Sequence, residues 1–257
     1  MAKESRVVQL QTDLVKMGYK DALKALNWMI SVMNADNGYK RHDGRHYYYH
    51  LVDATQELIN RGVTDEITIV SCILHDAIED VPDINYEGVK SLFGQEVADT
   101  VLGVTKDPDI NYKKGENLQA YLTAMLPHVR MCLVKTADRM HNFSTLKDAT
   151  PEKELRQALE TEEYFLPFFK ECRKRYPEYA TFFHSAKTNI MPHLIKIKQH
   201  HAFVAEHNRQ IAEIKEYLYD TMQHQMTTDC AYTDVCVELV EDIARNIKHI
   251  TKGGTLK

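Results

Sequence analysis

The sequence predicts an all-α protein, and three observations carry that prediction. Glycine and proline are scarce, 10 and 7 in 257 residues, so long stretches run without a breaker. Apolar residues recur at helical spacing, as in Val7, Leu10, Leu14 and then Ala22, Leu26, Met29, Ile30, Met33. An apolar content of 44% supplies the core of one large domain, or of one domain with an extension.

The elements follow in order. Helices are predicted over 4–17 and 20–33, then a polar, glycine-punctuated loop over 34–44. A helix over 50–60 closes at Arg61-Gly62, a good C-terminal stop. Asp65 is a candidate N-cap for a helix over 66–79. Its middle, Ile67 to Leu74, is apolar nearly all round, which predicts a place at the centre of a bundle. One or two helices cover 86–104, and a polar loop containing Pro108 follows over 107–115. Further helices are expected at 116–126, 128–146, 151–176 and 178–200. The character changes near 202: two amphipathic helices, 203–224 and 233–251, are joined by a polar stretch at 225–232 and followed by a tail expected to be disordered.

Net charge is -5, so there is no global basic footprint for nucleic acid, although Lys40-Arg41 and Lys113-Lys114 are local clusters suited to a small phosphorylated ligand. The five cysteines, Cys72, Cys132, Cys172, Cys230 and Cys236, are scattered, odd in number and form no C-x-x-C pair. They read as reduced thiols of a cytoplasmic protein. The N-terminal residues form an amphipathic run rather than a signal core, and no apolar stretch is long enough to span a bilayer.

The chemistry concentrates at His75-Asp76-Ala77-Ile78-Glu79-Asp80. The dipeptide supplies adjacent nitrogen and oxygen donors, and His50 and Asp138 complete a His-His-Asp-Asp set. Such a set suits a borderline divalent metal that keeps positions for water and phosphate oxygens. Glu79 and Asp80 come one helical turn later as spare carboxylates for proton handling. Asp138, Asn142 and Thr145 are spaced i, i+4, i+7 and share one helix face, with Lys135 one turn earlier as a phosphate contact. Arg41 opens a loop rich in cations and aromatics, up to Tyr47-Tyr48-Tyr49, and an arginine beside tyrosines stacks on a purine. Bland readings stand beside these. His50 is a helix-start residue, His141 a packed histidine, Arg139 structural, Glu79-Asp80 an acidic helix end and the tyrosines core. Unpaired charge is costly at the end of an apolar helix, however, and that favours a metal-dependent phosphohydrolase.

The runs Arg41-x-x-Gly44-x-x-Tyr47-x-x-His50, Leu74-His75-Asp76-x-x-Glu79-Asp80, Gly103-Val104-Thr105-Lys106 and Arg130 to Leu146 resemble, in order and spacing, the hydrolase domain of RelA/SpoT-type alarmone enzymes. So do Glu116-Asn117, Tyr121-Leu122-x-Ala124-Met125 and Glu160-Thr161-x-x-Tyr164-x-x-Pro167, and the likeness covers about residues 20–190. The resemblance implies an HD-superfamily helical bundle over 1–201 with a C-terminal helical extension over 202–257. It implies one Mn²⁺ held by His50, His75, Asp76 and Asp138, with Glu79 and Asp80 activating water. Arg41 would pack on guanine, and Asn142 and Thr145 would contact nucleoside and phosphate. The implied reaction removes the 3′-pyrophosphate of guanosine tetra- or pentaphosphate. His42-Asp43 replaces the family's usual Lys and small polar residue, and Leu51 replaces Pro after His50. An acid at 43 repels phosphate unless it is paired, so these departures bear on substrate more than on metal. Two alternatives remain: an HD phosphohydrolase for a deoxynucleotide, NADPH or an adenosine alarmone, and an alarmone-binding or antitoxin-like partner protein. Residues 202–257 are a candidate surface for self-association or a protein partner.

Overall fold

The computed structural model describes residues 4–41, 43–146, 149–225, 241 and 245. The expectations for His42, the linker from 226, the 233–251 helix and the tail fall outside those residues. The described part is helical and contains no strand, only one isolated bridge between Lys40 and His46.

The helices are α1 (Ser5–Met17), α2 (Lys20–Val32), α3 (Tyr48–Asn60), α4 (Glu66–Ile73), α5 (Ala77–Asp80), α6 (Tyr86–Phe93), α7 (Gln95–Val104), α8 (Gly115–Met125) and α9 (Val129–Ser144). They continue as α10 (Pro151–Glu160), a π-helical segment Thr161–Phe165, α11 (Leu166–Arg175) and α12 (Ala180–Gln225). The chain divides into two compact units, Met1–Leu194 and Ile195–Lys257.

In the first unit α4 is the hub. It packs on α2, α3, α7 and α9, and every residue from Thr68 to Ile73 is buried. A helix apolar on all sides has no other stable place. Asp65 caps it by accepting from the Thr68 N–H at 3.1 Å, and Arg130 of α9 donates to the same carboxylate at 2.8 Å. α3 and α9 lie against each other and against α4. The buried residues of those two helices include Leu51, Val52, Leu58, Leu133, Val134 and Ala137.

Three boundaries differ from the sequence expectation. The helix expected over 66–79 is broken at Leu74–Asp76, because the His75 imidazole takes the Cys72 carbonyl at 2.7 Å and Ala77 N–H closes a tighter turn onto Leu74 C=O at 2.8 Å. The helix expected over 151–176 contains the π-helical segment Thr161–Phe165. Where helices ending at 200 and beginning at 203 were expected, α12 continues unbroken, with Pro192 inside it. No glycine or proline lies between 193 and 225, so nothing local stops the helix there. In the second unit Ile197, Val204, Ile211 and Leu218 recur every seven residues of α12 and are buried or half-buried.

Arg139 fastens α9 to the π-helical segment. It is buried, donates to Thr161 Oγ1 at 2.8 Å and Gln157 C=O at 2.7 Å, and lies 4.2 Å from the centre of the Phe165 ring. Burial draws its guanidinium down to about 10, against the pull of Glu160 and Asp138, which still leaves it charged at neutral pH. Arg139→Ala is therefore expected to cost about 3–5 kcal/mol through the cavity and the lost charged hydrogen bonds. Urea unfolding of the metal-free protein reads this directly.

Candidate metal centre and adjoining cleft

Three segments meet at one buried point. His50 comes from the first turn of α3, His75 and Asp76 from the break between α4 and α5, and Asp138 from the third turn of α9. His50 Nε2 lies 3.1 Å from His75 Nε2, 3.2 Å from Asp138 Oδ1 and 3.6 Å from Asp76 Oδ2. His75 Nε2 lies 3.2 Å from Asp76 Oδ2 and 3.7 Å from Asp138 Oδ1. Donor atoms of His50, His75 and Asp138 form a metal-sized cluster, and Asp76 Oδ2 lies near both imidazole nitrogens of that cluster.

The donor set fits a cation. His75 Nδ1–H donates to the Cys72 carbonyl, which can only accept, so a neutral His75 presents its Nε2 lone pair to the cluster. Lone pairs facing two carboxylates at these distances repel unless positive charge sits among them. Burial works against charge on His75, but Asp76 and Asp138 outweigh it and raise its pKa well above the ordinary histidine value. Burial holds His50 down to about 4 and therefore neutral. A divalent ion held by these residues would supply the missing charge. Ligands at right angles with bonds of about 2.1 Å stand about 3.0 Å apart, close to the shorter separations seen.

Each carboxylate of the set is held from outside. Tyr47 Oη donates to Asp76 Oδ2 at 2.8 Å. Asn142 Nδ2 donates to Asp138 Oδ1 at 2.5 Å, and Lys135 Nζ pairs with Asp138 Oδ2 at 2.8 Å. Burial opposes ionisation of Asp138, but Lys135 and the two histidines hold its pKa well below the usual range. Burial likewise disfavours charge on Lys135, and Asp138 more than restores it.

Beside this point lies a cleft of about 330 Å³ whose lining includes the acids Asp76, Glu79, Asp80 and Asp138 and the cations Lys40, Arg41, Lys106, Lys135 and Lys153. Glu79 Oε2 accepts from the Lys106 backbone N–H at 3.1 Å, and Asp80 is exposed. Burial first, then Asp76 and Glu79, raise Asp80 to about 6. Lys106 is lowered, chiefly by Lys135 and then by burial. Two ammonium groups crowded in one cleft favour a bound anion.

Arg41, Asn142 and Thr145 come together. Arg41 Nη2 donates to Asn142 Oδ1 at 3.2 Å and Thr145 Oγ1 at 2.9 Å, and its guanidinium lies 5.5 Å from the Tyr47 ring centre. The preceding loop makes this possible. Gly44 adopts φ 80, Arg41 N–H bonds Arg45 C=O at 2.8 Å, and the chain doubles back. Asp43, the added acid, is neutralised by Arg45, whose Nε donates to it at 2.6 Å. Hydrogen bonds from Arg45 hold its carboxyl below the ordinary value.

Sequence reasoning missed Lys153 and treated Lys106 only as part of a landmark. These residues come from separate elements, and no spacing rule connects them to Asp138. Lys113 and Lys114 are not among the cleft's lining residues.

Fold and donor set together define an all-helical protein with a candidate His/Asp divalent-metal centre. A family described as HD domain matches residues 25–171, and the chain belongs to that family. Among curated proteins it is similar to a probable guanosine-3′,5′-bis(diphosphate) 3′-pyrophosphohydrolase of Synechocystis sp., 39% identical over 50% of this chain and 17% of that protein. It is also similar to the bifunctional (p)ppGpp synthase/hydrolase SpoT of Escherichia coli, 34% identical over 58% of this chain and 22% of that protein. The match thus spans about a fifth of those relatives' length. A solved structure, titled as a metazoan ortholog of SpoT that hydrolyzes ppGpp and plays a role in starvation responses, aligns with TM-score 0.50 and 21% identity, covering 70% of this chain and 94% of that one. That likeness concerns the fold. Among the described residues no helix is long and apolar enough to cross a membrane.

Proposed function

We propose that the protein hydrolyses the 3′-pyrophosphate of guanosine tetra- and pentaphosphate, giving GDP or GTP and pyrophosphate, with one Mn²⁺ as cofactor. The observation that carries the proposal is a His50/His75/Asp138 donor cluster, with Asp76 beside it, next to a cleft lined by both carboxylates and lysines. The activities of the two curated relatives supply the substrate class. In this reading the catalytic domain is 1–201, the setting is cytoplasmic, and 202–257 serve self-association or a protein partner.

His50, His75, Asp76 and Asp138 would hold the ion, which when bound supplies a water of lowered pKa and polarises a phosphate oxygen. Glu79 or Asp80 accepts the water's proton or passes it on. The bond that breaks joins the nucleoside 3′ oxygen to the diphosphate. Lys106, Lys135 and Lys153 hold the diphosphate oxygens and offset the charge that develops on them. Arg41, steadied by Asn142 and Thr145, packs on the base. Arg41→Ala is accordingly expected to raise KM about tenfold, roughly 1.4 kcal/mol of binding, with a smaller change in kcat. Steady-state kinetics separates the two constants.

A substrate panel tests the assignment. Turnover of ppGpp and pppGpp well above that of deoxynucleotides, NADPH and an adenosine alarmone supports it. Preference for one of those others retains the centre and rejects the alarmone. Bound nucleotide with no turnover favours a sensing or antitoxin-like protein.

A further inference from the structure

His50 approaches the donor cluster with Nε2, so a neutral, metal-ligating ring must carry its proton on Nδ1. That nitrogen is not in water. It lies 2.6 Å from Nδ1 of His141, and both rings are buried. At such a distance one of the two nitrogens donates and the other accepts. The far nitrogen of His141, Nε2, faces Asp53 Oδ2 at 3.3 Å. An ionised carboxylate only accepts, so the His141 proton belongs on Nε2. Its Nδ1 is then a lone pair, which can take the Nδ1–H of His50 and leave Nε2 of His50 bare. Asp53 itself is anchored by Arg6 of α1. Every link in the series Arg6, Asp53, His141, His50 imposes the same proton arrangement. His75 reaches the same state by a different route, through the Cys72 carbonyl.

We propose that His141 and Asp53 are positioning residues that fix the tautomer and ring orientation of His50, and so set the metal affinity of the centre. The proposal rests on the metal centre described above. It concerns residues that meet the His50 ring at Nδ1, away from the nitrogen facing the cluster, and that neither the donor set nor the lining of the cleft includes. Packing alone would ask for an apolar side chain at 141. It would not ask for a histidine between a second histidine and a half-buried carboxylate.

The test is Mn²⁺ affinity of the full chain, measured by competition with a metal-indicator chelator, for the wild type, His141→Leu, His141→Asn and Asp53→Ala. Loss of an outer partner of a metal-bound histidine weakens binding about 10–100-fold, which is the loss expected for His141→Leu and Asp53→Ala. His141→Asn should recover most of it, because the amide oxygen can replace Nδ1 as the acceptor for His50. Asp53, whose side chain is 30% exposed, carries the test if His141→Leu fails to fold. Wild-type affinity in both His141→Leu and Asp53→Ala overturns the proposal and leaves the metal centre standing. An Asn variant as weak as the Leu variant assigns His141 to packing and also overturns it. A wild-type chain that binds no Mn²⁺ overturns the centre, and this inference with it.

Discussion

Asp138→Asn is expected to abolish metal-supported hydrolysis while leaving the chain folded. Asp138 is the one donor bonded by both a lysine and an amide, Lys135 at 2.8 Å and Asn142 at 2.5 Å, while also facing both histidines. An amide of the same shape removes the charge and turns an NH₂ either toward Lys135 or toward the ion. Both placements oppose binding. The expected loss in kcat/KM is at least about 10³-fold, or roughly 4 kcal/mol of transition-state stabilisation. Asp138→Ala is the poorer experiment, because it leaves the buried Lys135 ammonium unpaired at a cost of about 3–5 kcal/mol. Metal content and kcat measured together give the answer. A metal-free variant that retains the wild-type rate would contradict a metal-centred mechanism.

Asp80→Asn and Glu79→Gln should keep the metal and lose rate, by about 10²–10⁴-fold for whichever residue accepts the water's proton. The pH dependence distinguishes them. Asp80 is raised to about 6 by burial and by the neighbouring Asp76 and Glu79. A base works only when ionised, so kcat should fall as pH drops through about 6. A bound cation favours the ionised form and moves that limb to lower pH. Asp80→Asn should lower the plateau and remove the limb. Glu79→Gln should lower the plateau and leave a limb, moved toward lower pH because one repelling charge is gone. Wild-type kcat with an unchanged limb in Asp80→Asn would rule Asp80 out as the base.

The architecture was legible where one physical cause dominated. The all-round apolar run from Ile67 to Leu74 required the centre of the bundle, and α4 occupies it. Asp65 required a helix start and makes the capping bond. The break after Ile73 was not legible, because Leu, His, Asp and Ala all tolerate helix and the interruption is decided by one side chain competing for the Cys72 carbonyl. The run of α12 past residue 200 was hidden for the opposite reason. A change in composition suggested a boundary where no breaker stood.

At the site, His50, His75, Asp76 and Asp138 were readable as candidate donors because metal chemistry restricts residue type. Their convergence needed the fold. Tyr47 was read as part of an aromatic run, yet its hydroxyl serves Asp76. His141 was read as one histidine among 13, because a contact across 91 positions of chain leaves no periodic trace. Lys106 and Lys153 escaped for the same reason, whereas Lys40, Arg41 and Lys135 were already candidates and do line the cleft. Asp43 looked like a hazard to phosphate binding, and two residues later Arg45 neutralises it.

The most direct measurement is product analysis of ppGpp incubated with the purified chain, first with Mn²⁺ and then with excess chelator. GDP and pyrophosphate formed in equal amounts with the metal, and neither after chelation, is the expected result. Equal turnover with and without chelator, or release of single phosphate groups in place of pyrophosphate, would contradict the proposed chemistry.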